Sequence, residues 1–204
     1  MLLYISRTVK GCDHVPSPRD RMVASAAVLI RERGAHSTAI SDVLEHSGAP
    51  RGSAYHYFPG GRTQLLCEAV DLASDHVADR IRSAATGLDV LDAIVAGFRK
   101  QLTKTDFRAG CPVVAVAVEA GDPAKDENAA VLDRAGAAFT RWLELIAGRL
   151  VDDGIAEPRA RELAEFIASA IEGAIVIARA TRGVGPLDSA HRQLRALVQA
   201  ETGS

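Results

Sequence analysis

Apolar residues recur along this chain three and four positions apart, and nowhere does a sustained alternation mark a strand. Over 17–34, Met22, Val23, Ala26, Ala27, Leu29 and Ile30 form one stripe, which opens on Ser17-Pro18 and stops at a glycine. Thr38 stands where an N-cap would begin a second, short helix with Ile40, Val43 and Leu44 on one side, ended by Ser47-Gly48. Pro50 suits the first position of a third helix, which continues from Arg51 to Phe58 until Pro59-Gly60-Gly61 forbids it. A long helix over 62–85 carries Leu65, Leu66, Ala69, Leu72, Ala73, Val77 and Ile81.

The same period predicts helices over 88–103, 112–120, 127–152, 158–182 and 187–200, with Gly87, Gly121, Gly154 and Gly183-Val184-Gly185-Pro186 between them. Val113 to Val118 is β-branched, but alanine-rich sequence of helical length surrounds it, so it reads as helix. The expected fold is all-α. Two short helices around a glycine-containing turn, behind a longer helix, make a helix-turn-helix domain over 17–61; a helical domain follows over 62–204. Residues 1–16 lack periodicity and read as a flexible arm.

Hydrophobic residues at 48% and charged residues at 25% describe a chain that buries a core, not a disordered one. No apolar run approaches the roughly 20 residues of a membrane span, and Met1 to Ile5 is too short for a secretory signal, so a cytoplasmic location and no membrane partner are expected. Cys12, Cys67 and Cys111 are odd in number and scattered, and they read as reduced thiols without metal. The net charge of -2 argues against nucleic acid until it is divided along the chain. Residues 1–62 hold eight Lys or Arg against five acids, and the remainder sixteen against twenty-one, so phosphate affinity concentrates at the N-terminal end. No G-x-S-x-G, H-E-x-x-H, Walker loop or paired Glu-x-x-His is present, which leaves little for an enzyme.

The segment from Thr38 to Phe58, with its alanine-containing turn and its Arg51-Gly52-Ser53 and Tyr55-His56-Tyr57-Phe58 ending, resembles the DNA-binding signature of the tetracycline-repressor (TetR) family. The likeness covers Ser17 to Leu66. Pro59 to Leu65 and Gly110 to Glu119 are similar to the LmrA/YxaF-type branch. The sequence departs from the family pattern at Leu44, where alanine is usual, and at Arg62, where lysine is usual.

The residue chemistry agrees with that likeness. Pro50 opens a helix whose N-terminal amides face a phosphate or base edge, Arg51 and Ser53 add donors, and Gly52 lets the backbone approach. Tyr55, His56 and Tyr57 offer polar groups to the groove, while Thr38 and Arg62 can hold phosphates on either side. Tyr55 and Phe58, three apart, serve equally well as core of the small domain. His36 and His46 read as surface residues, and His76 beside Asp75 and Asp79 as a solvated face; His56 lacks the partners of a metal ligand.

In the larger domain, segment 158–182 is apolar or small nearly all round, so it needs partners on two sides. With 127–152 it forms half of a four-helix bundle that a second subunit completes, through Phe139, Trp142, Ile146, Phe166, Ala170, Gly173, Ala174 and Ile177; the alternative is that these residues only fill the monomer. Leu72, Val77, Ile94, Phe98, Val113, Val114, Val116 and Ala117 either line an apolar effector pocket or form plain core. The family resemblance implies a dimeric repressor on a palindromic operator in double-stranded DNA, released by a small, largely apolar effector, with no cofactor beside it. The other reading is a helical interaction or carrier protein without DNA affinity.

Overall fold

The computed structural model of the chain describes residues 16–119 and 128–203; the arm expected at the N-terminus falls almost entirely outside them. Nine helices and no strand occur among the described residues. They are α1 Pro18–Arg33, α2 Ile40–Ser47, α3 Ser53–Tyr57, α4 Gly61–Ser83, α5 Gly87–Lys104, α6 Pro112–Ala117, α7 Ala129–Asp152, α8 Glu157–Thr181 and α9 Gly185–Thr202.

Local chemistry sets most boundaries. At α1 the Ser17 hydroxyl accepts from the Asp20 amide at 3.1 Å, and the Asp20 carboxylate accepts from the Ser17 amide, a reciprocal cap in front of Pro18. Thr86 and Asp89 repeat the device at α5. Thr38 is not the cap expected of it: Ala39 precedes α2, Asp42 accepts from the Ala39 amide, and the buried Thr38 hydroxyl donates to the Gly34 carbonyl at 2.7 Å. Gly48, at φ 66°, makes the left-handed turn out of α2. The third helix is shorter than its sequence suggests, because Pro50 to Gly52 form a turn closed by the Ser53 amide on the Pro50 carbonyl. Helix α6 likewise stops at Ala117, ahead of the expected 120.

Helix α1 packs on α2, α3 and α4, and α4 runs out of this N-terminal head to lie along α7. Helix α8 sits between α7 and α9, α9 covers α5, and α6 is wedged between α1 and α7. Buried side chains from Met22 in α1 to Val198 in α9 make one contiguous cluster, so head and body share a core.

Phe58 settles one open choice. Its ring is 1% exposed, beneath the Arg19 guanidinium at 5.4 Å, and Arg19 also pairs with Glu68 of α4 at 2.7 Å. Tyr55, one turn earlier, is 75% exposed. Phe58→Ala is therefore expected to cost about 3–5 kcal/mol in urea unfolding, against less than about 0.5 kcal/mol for Tyr55→Ala. Equal losses would show that the Tyr55 ring is buried after all.

Candidate nucleic-acid interface and effector cavity

Around α3 the chain presents a polar surface on an apolar footing. Pro50, Arg51, Gly52, Tyr55 and His56 are exposed, Ser53 and Tyr57 are half-buried, and Ala54 and Phe58 face the core. The His56 and Tyr57 rings meet edge to face at 5.1 Å. The Ser53 hydroxyl donates to the Pro50 carbonyl at 2.6 Å and so fixes the turn from within. Helix α3 has five residues, so a macrodipole contributes less here than the Arg51, Tyr55 and His56 side chains.

Thr38 and Arg62, expected beside them as phosphate contacts, turn inward. Thr38 is fully buried. Arg62 donates from Nε to the Thr38 carbonyl at 2.9 Å, from Nη1 to Asn128 Oδ1 at 2.7 Å, and from Nη2 to the Ala35 carbonyl. Its fork fits these acceptors because the corner between α1 and α2 leaves carbonyls that no helix satisfies.

Glu119 serves the same corner from the opposite sign. Its carboxylate accepts from the Ala35 amide at 2.7 Å and the His36 amide at 3.0 Å, and lies 3.3 Å from His36 Nδ1. Gly34, at φ 90°, makes room, since a Cβ there would lie 1.7 Å from Glu119 Oε1. His36 is exposed, as its sequence suggests, and also takes part in this junction. Arg179 of α8 adds donors to the Arg108 carbonyl at 2.8 Å and the Glu32 carbonyl at 3.3 Å, and the Gly110 amide reaches the Arg31 carbonyl at 3.0 Å. Charged side chains on backbone groups thus add to the shared core in holding the head to the body.

Behind this junction lie two small adjoining cavities that share Val77, Phe98 and Trp142. One, of about 30 Å³, is also lined by Arg31, His76, Arg80, Gln101, Cys111 and Val113; the other, of about 20 Å³, by Ile81, Ile94, Ile146, Ile167, Ile171 and Glu172 among others. Of the pocket residues expected from sequence, Val77, Ile94, Phe98 and Val113 do line these spaces. Val116 is buried in core packing, and Leu72, Val114 and Ala117 are partly buried; none of the four lines either cavity.

The lining is also more polar than expected. His76 is half-buried and 3.0 Å from Arg80, not on a solvated face, and a Cβ on Gly97 would lie 1.4 Å from Arg80 Nη1. Hydropathy patterns pass over such residues, because a long polar side chain can turn inward from a position that scores as surface.

Trp142 and Ile146, assigned by sequence to a subunit interface, belong to this interior. Trp142 is 4% exposed and donates from Nε1 to the Ser74 carbonyl at 3.1 Å, with the Phe139 ring edge-on at 5.4 Å. Ala174 is buried too. Phe166, at 56% exposure, and Ile177, at 52%, share one outer stripe of α8 with the half-buried Ala170 and the exposed Gly173, at spacings of four, three and four. Phe139 is partly buried.

Two groups in the cavity walls titrate abnormally. Burial pushes the Glu172 carboxyl up to about 7, against a hydrogen bond from the Cys111 thiol that pulls it down. Burial, with Glu172 beside it, raises the Cys111 thiol well above its ordinary range, which makes it a hydrogen-bond donor and a poor nucleophile. Cys67 and Cys111 are both free; Cys12 lies outside the described residues. Among the described residues no group of His, Cys, Asp and Glu is placed to hold a metal, and no helix is long and apolar enough to cross a membrane.

Comparison with known proteins adds two family matches. Residues 23–69 match the model for bacterial regulatory proteins of the tetR family, and residues 88–193 that for the C-terminal domain of LmrA/YxaF-like transcriptional regulators. An uncharacterized HTH-type transcriptional regulator of Mycobacterium tuberculosis is 63% identical over 90% of this chain and 95% of its own. The regulator YxaF of Bacillus subtilis is 30% identical over 89% of this chain and 95% of its own. Among solved structures, a TetR transcriptional regulator from Chloroflexus aurantiacus superposes with a TM-score of 0.69 at 28% identity, covering 90% of this chain and 95% of that one. One from Legionella pneumophila reaches 0.76 at 18% identity, covering 90% and 98%, a likeness of fold.

Arg62→Lys keeps the charge but loses the fork. If Arg62 braces the corner as its bonds indicate, the variant unfolds about 1–3 kcal/mol more easily in urea; unchanged stability would return Arg62 to the role of a bare phosphate contact. For Glu172, the folded protein keeps the proton to about pH 7 while the unfolded chain releases it near 4.5. Raising pH between those values ionises only the unfolded chain, so this group lowers stability, by up to about 3 kcal/mol at and above pH 7. The stability of Glu172→Gln relative to the parent should therefore increase from pH 5 to pH 8, read from thermal unfolding at each pH. A difference that stays flat would mean that the carboxyl is solvated.

Proposed function

We propose a ligand-released transcriptional repressor, on the premise that the chain belongs to the tetR family of bacterial regulatory proteins, with a C-terminal domain of the LmrA/YxaF-like branch. It is a transcriptional regulator and not an enzyme. The observation that carries the finer reading is the surface of α3: Arg51, Tyr55 and His56 stand free on a helix-turn-helix whose underside, Ala54 and Phe58, is locked in the core. Arg51 and the Pro50 to Ser53 turn contact phosphate, and Tyr55, His56 and Tyr57 face the base edges.

A homodimer formed through the stripe of Phe166, Ala170, Gly173 and Ile177 sets two such heads on the halves of a palindromic operator. The cavities behind the head receive a small molecule. Because Arg31 of α1 lines one of them, an occupant contacts the head itself, and a ligand that prefers a shifted head lowers operator affinity by the same factor that DNA lowers ligand affinity. This mechanism needs no cofactor and operates in the cytoplasm.

The test is fluorescence anisotropy of a labelled fragment from the gene's own upstream region. Parent protein should bind with an affinity that falls steeply with salt, and Arg51→Ala should lose about tenfold or more. Ile177→Glu should sediment as a monomer and lose the operator as well, with its helical circular dichroism intact. Failure to bind that fragment or any palindrome in a genomic pool would favour a carrier or interaction protein instead.

A further inference from the structure

We infer that the two adjoining cavities form one effector site for a hydrophobic ammonium ion, an apolar body carrying a single protonated amine, and that the Glu172 carboxylate anchors the amine. The inference rests on the regulator reading above for its biological meaning, but the binding site stands on its own geometry. Glu172 is the sole ionisable residue lining the smaller cavity, whose other walls include Ile81, Ile94, Phe98, Trp142 and Ile171. Part of the residue reaches the surface, yet its carboxylate is enclosed: Oε2 is buried and has no hydrogen-bond partner, and the thiol of Cys111 supplies the hydrogen bond that the group does have.

An acceptor left unmet among hydrocarbon walls is costly to the empty protein, and a ligand N–H removes that cost on arrival. The choice of a cation over a neutral donor follows from charge. The carboxyl titrates near neutral pH, so a cation beside it draws it into the ionised form; the basic residues Arg31 and Arg80 line the larger cavity, not the one that holds Glu172. The aromatic side chains of Trp142 and Phe98 also line this cavity, an environment that favours a cation over a carboxylate or alcohol.

The apolar body then extends past the shared Phe98 and Trp142 towards the larger cavity, where Arg31 belongs to α1 of the head. At about 20 and 30 Å³ the empty spaces hold no more than water, so the occupant selects a conformation in which the Phe98 and Trp142 side chains move apart and the two spaces join. Ligand chemistry is thereby read by Glu172, and its bulk is transmitted to the head.

Trp142 is the single tryptophan of the chain, and it lies between the two spaces, so its fluorescence reports occupancy directly. Full-length protein would be titrated with 4-phenylbutylamine, 4-phenylbutanol and 4-phenylbutanoate. The amine is expected to give a saturable change at a dissociation constant at least about tenfold below those of the other two. In Glu172→Gln the amine should fall to within about twofold of the alcohol, with helical circular dichroism retained. Equal binding of alcohol or carboxylate, binding of none of the three, or an amine preference that survives in Glu172→Gln would each overturn the assignment. The preference within the parent protein decides the matter even if the variant fails to fold. Operator binding measured without any amine tests the regulator reading separately: a chain that binds DNA but no amine loses only the ligand assignment, and one that binds amine but no DNA loses only the regulator.

Discussion

Between α1 and α2 the backbone turns a corner that leaves amides and carbonyls with no helical partner, and everything above and below depends on where those partners come from. Thr38 supplies two of them from within, its amide to the Ala35 carbonyl and its hydroxyl to the Gly34 carbonyl, and the rest come from outside the head. Arg62 at the start of α4 takes the carbonyls of Ala35 and Thr38, and Glu119 after α6 takes the amides of Ala35 and His36. One cation and one anion thus hold the six-residue connection 34–39 from two elements of the body. Charged hydrogen bonds to backbone are stronger and more directional than apolar contact, so the corner fixes where α2 and α3 point. The same bonds break if α6 or the start of α7 shifts, since Arg62 is itself tied to Asn128.

That arrangement ties the cavity walls to the head. Arg31, two residues before α1 ends, bonds Gln101 of α5 at 3.2 Å, and Gln101 in turn bonds the Gly110 carbonyl at 2.7 Å, while the Gly110 amide returns to Arg31. Cys111, next in the chain, meets Glu172 of α8. A side chain displaced at the cavity wall therefore has a short path of hydrogen bonds to the last turn of α1 and the loop beyond it. Such a path is a necessary part of a coupling mechanism; the coupling energy itself is the quantity that operator and ligand binding measure together.

Much of this fold is legible in the sequence because helices announce themselves by period and punctuation. Ser17-Pro18, Gly48, Gly34 and the apolar stripes place every helix within a few residues, and α3 is overestimated only because Pro50 can open a turn as readily as a helix. The exposure of Arg51, Tyr55 and His56 on the candidate face follows from the same reading, since they flank small or buried positions. Arg62, Thr38, Trp142 and Ile146 are harder. A residue's type and spacing say that it can reach a phosphate or a partner subunit, but only the packing of α4 against α7 says which way it turns. Glu172 escapes notice for a related reason, because a glutamate within an otherwise apolar helix scores as its exposed edge.

Helix α8 shows what that limitation means physically. Its sequence is apolar on more than one side, and the structure divides those sides between two uses: Leu163, Ile167, Ile171, Ala174 and Ile175 enter the core, while Phe166, Val176 and Ile177 stay exposed. Glu172 lies between the two faces, one residue before Gly173 on the outer stripe. A subunit docked on that stripe would cover the part of Glu172 that now reaches the surface, dry its carboxyl further and strengthen any interaction it makes with a bound cation. Under the proposed dimer, the subunit contact and the Glu172 carboxyl would then share one helix.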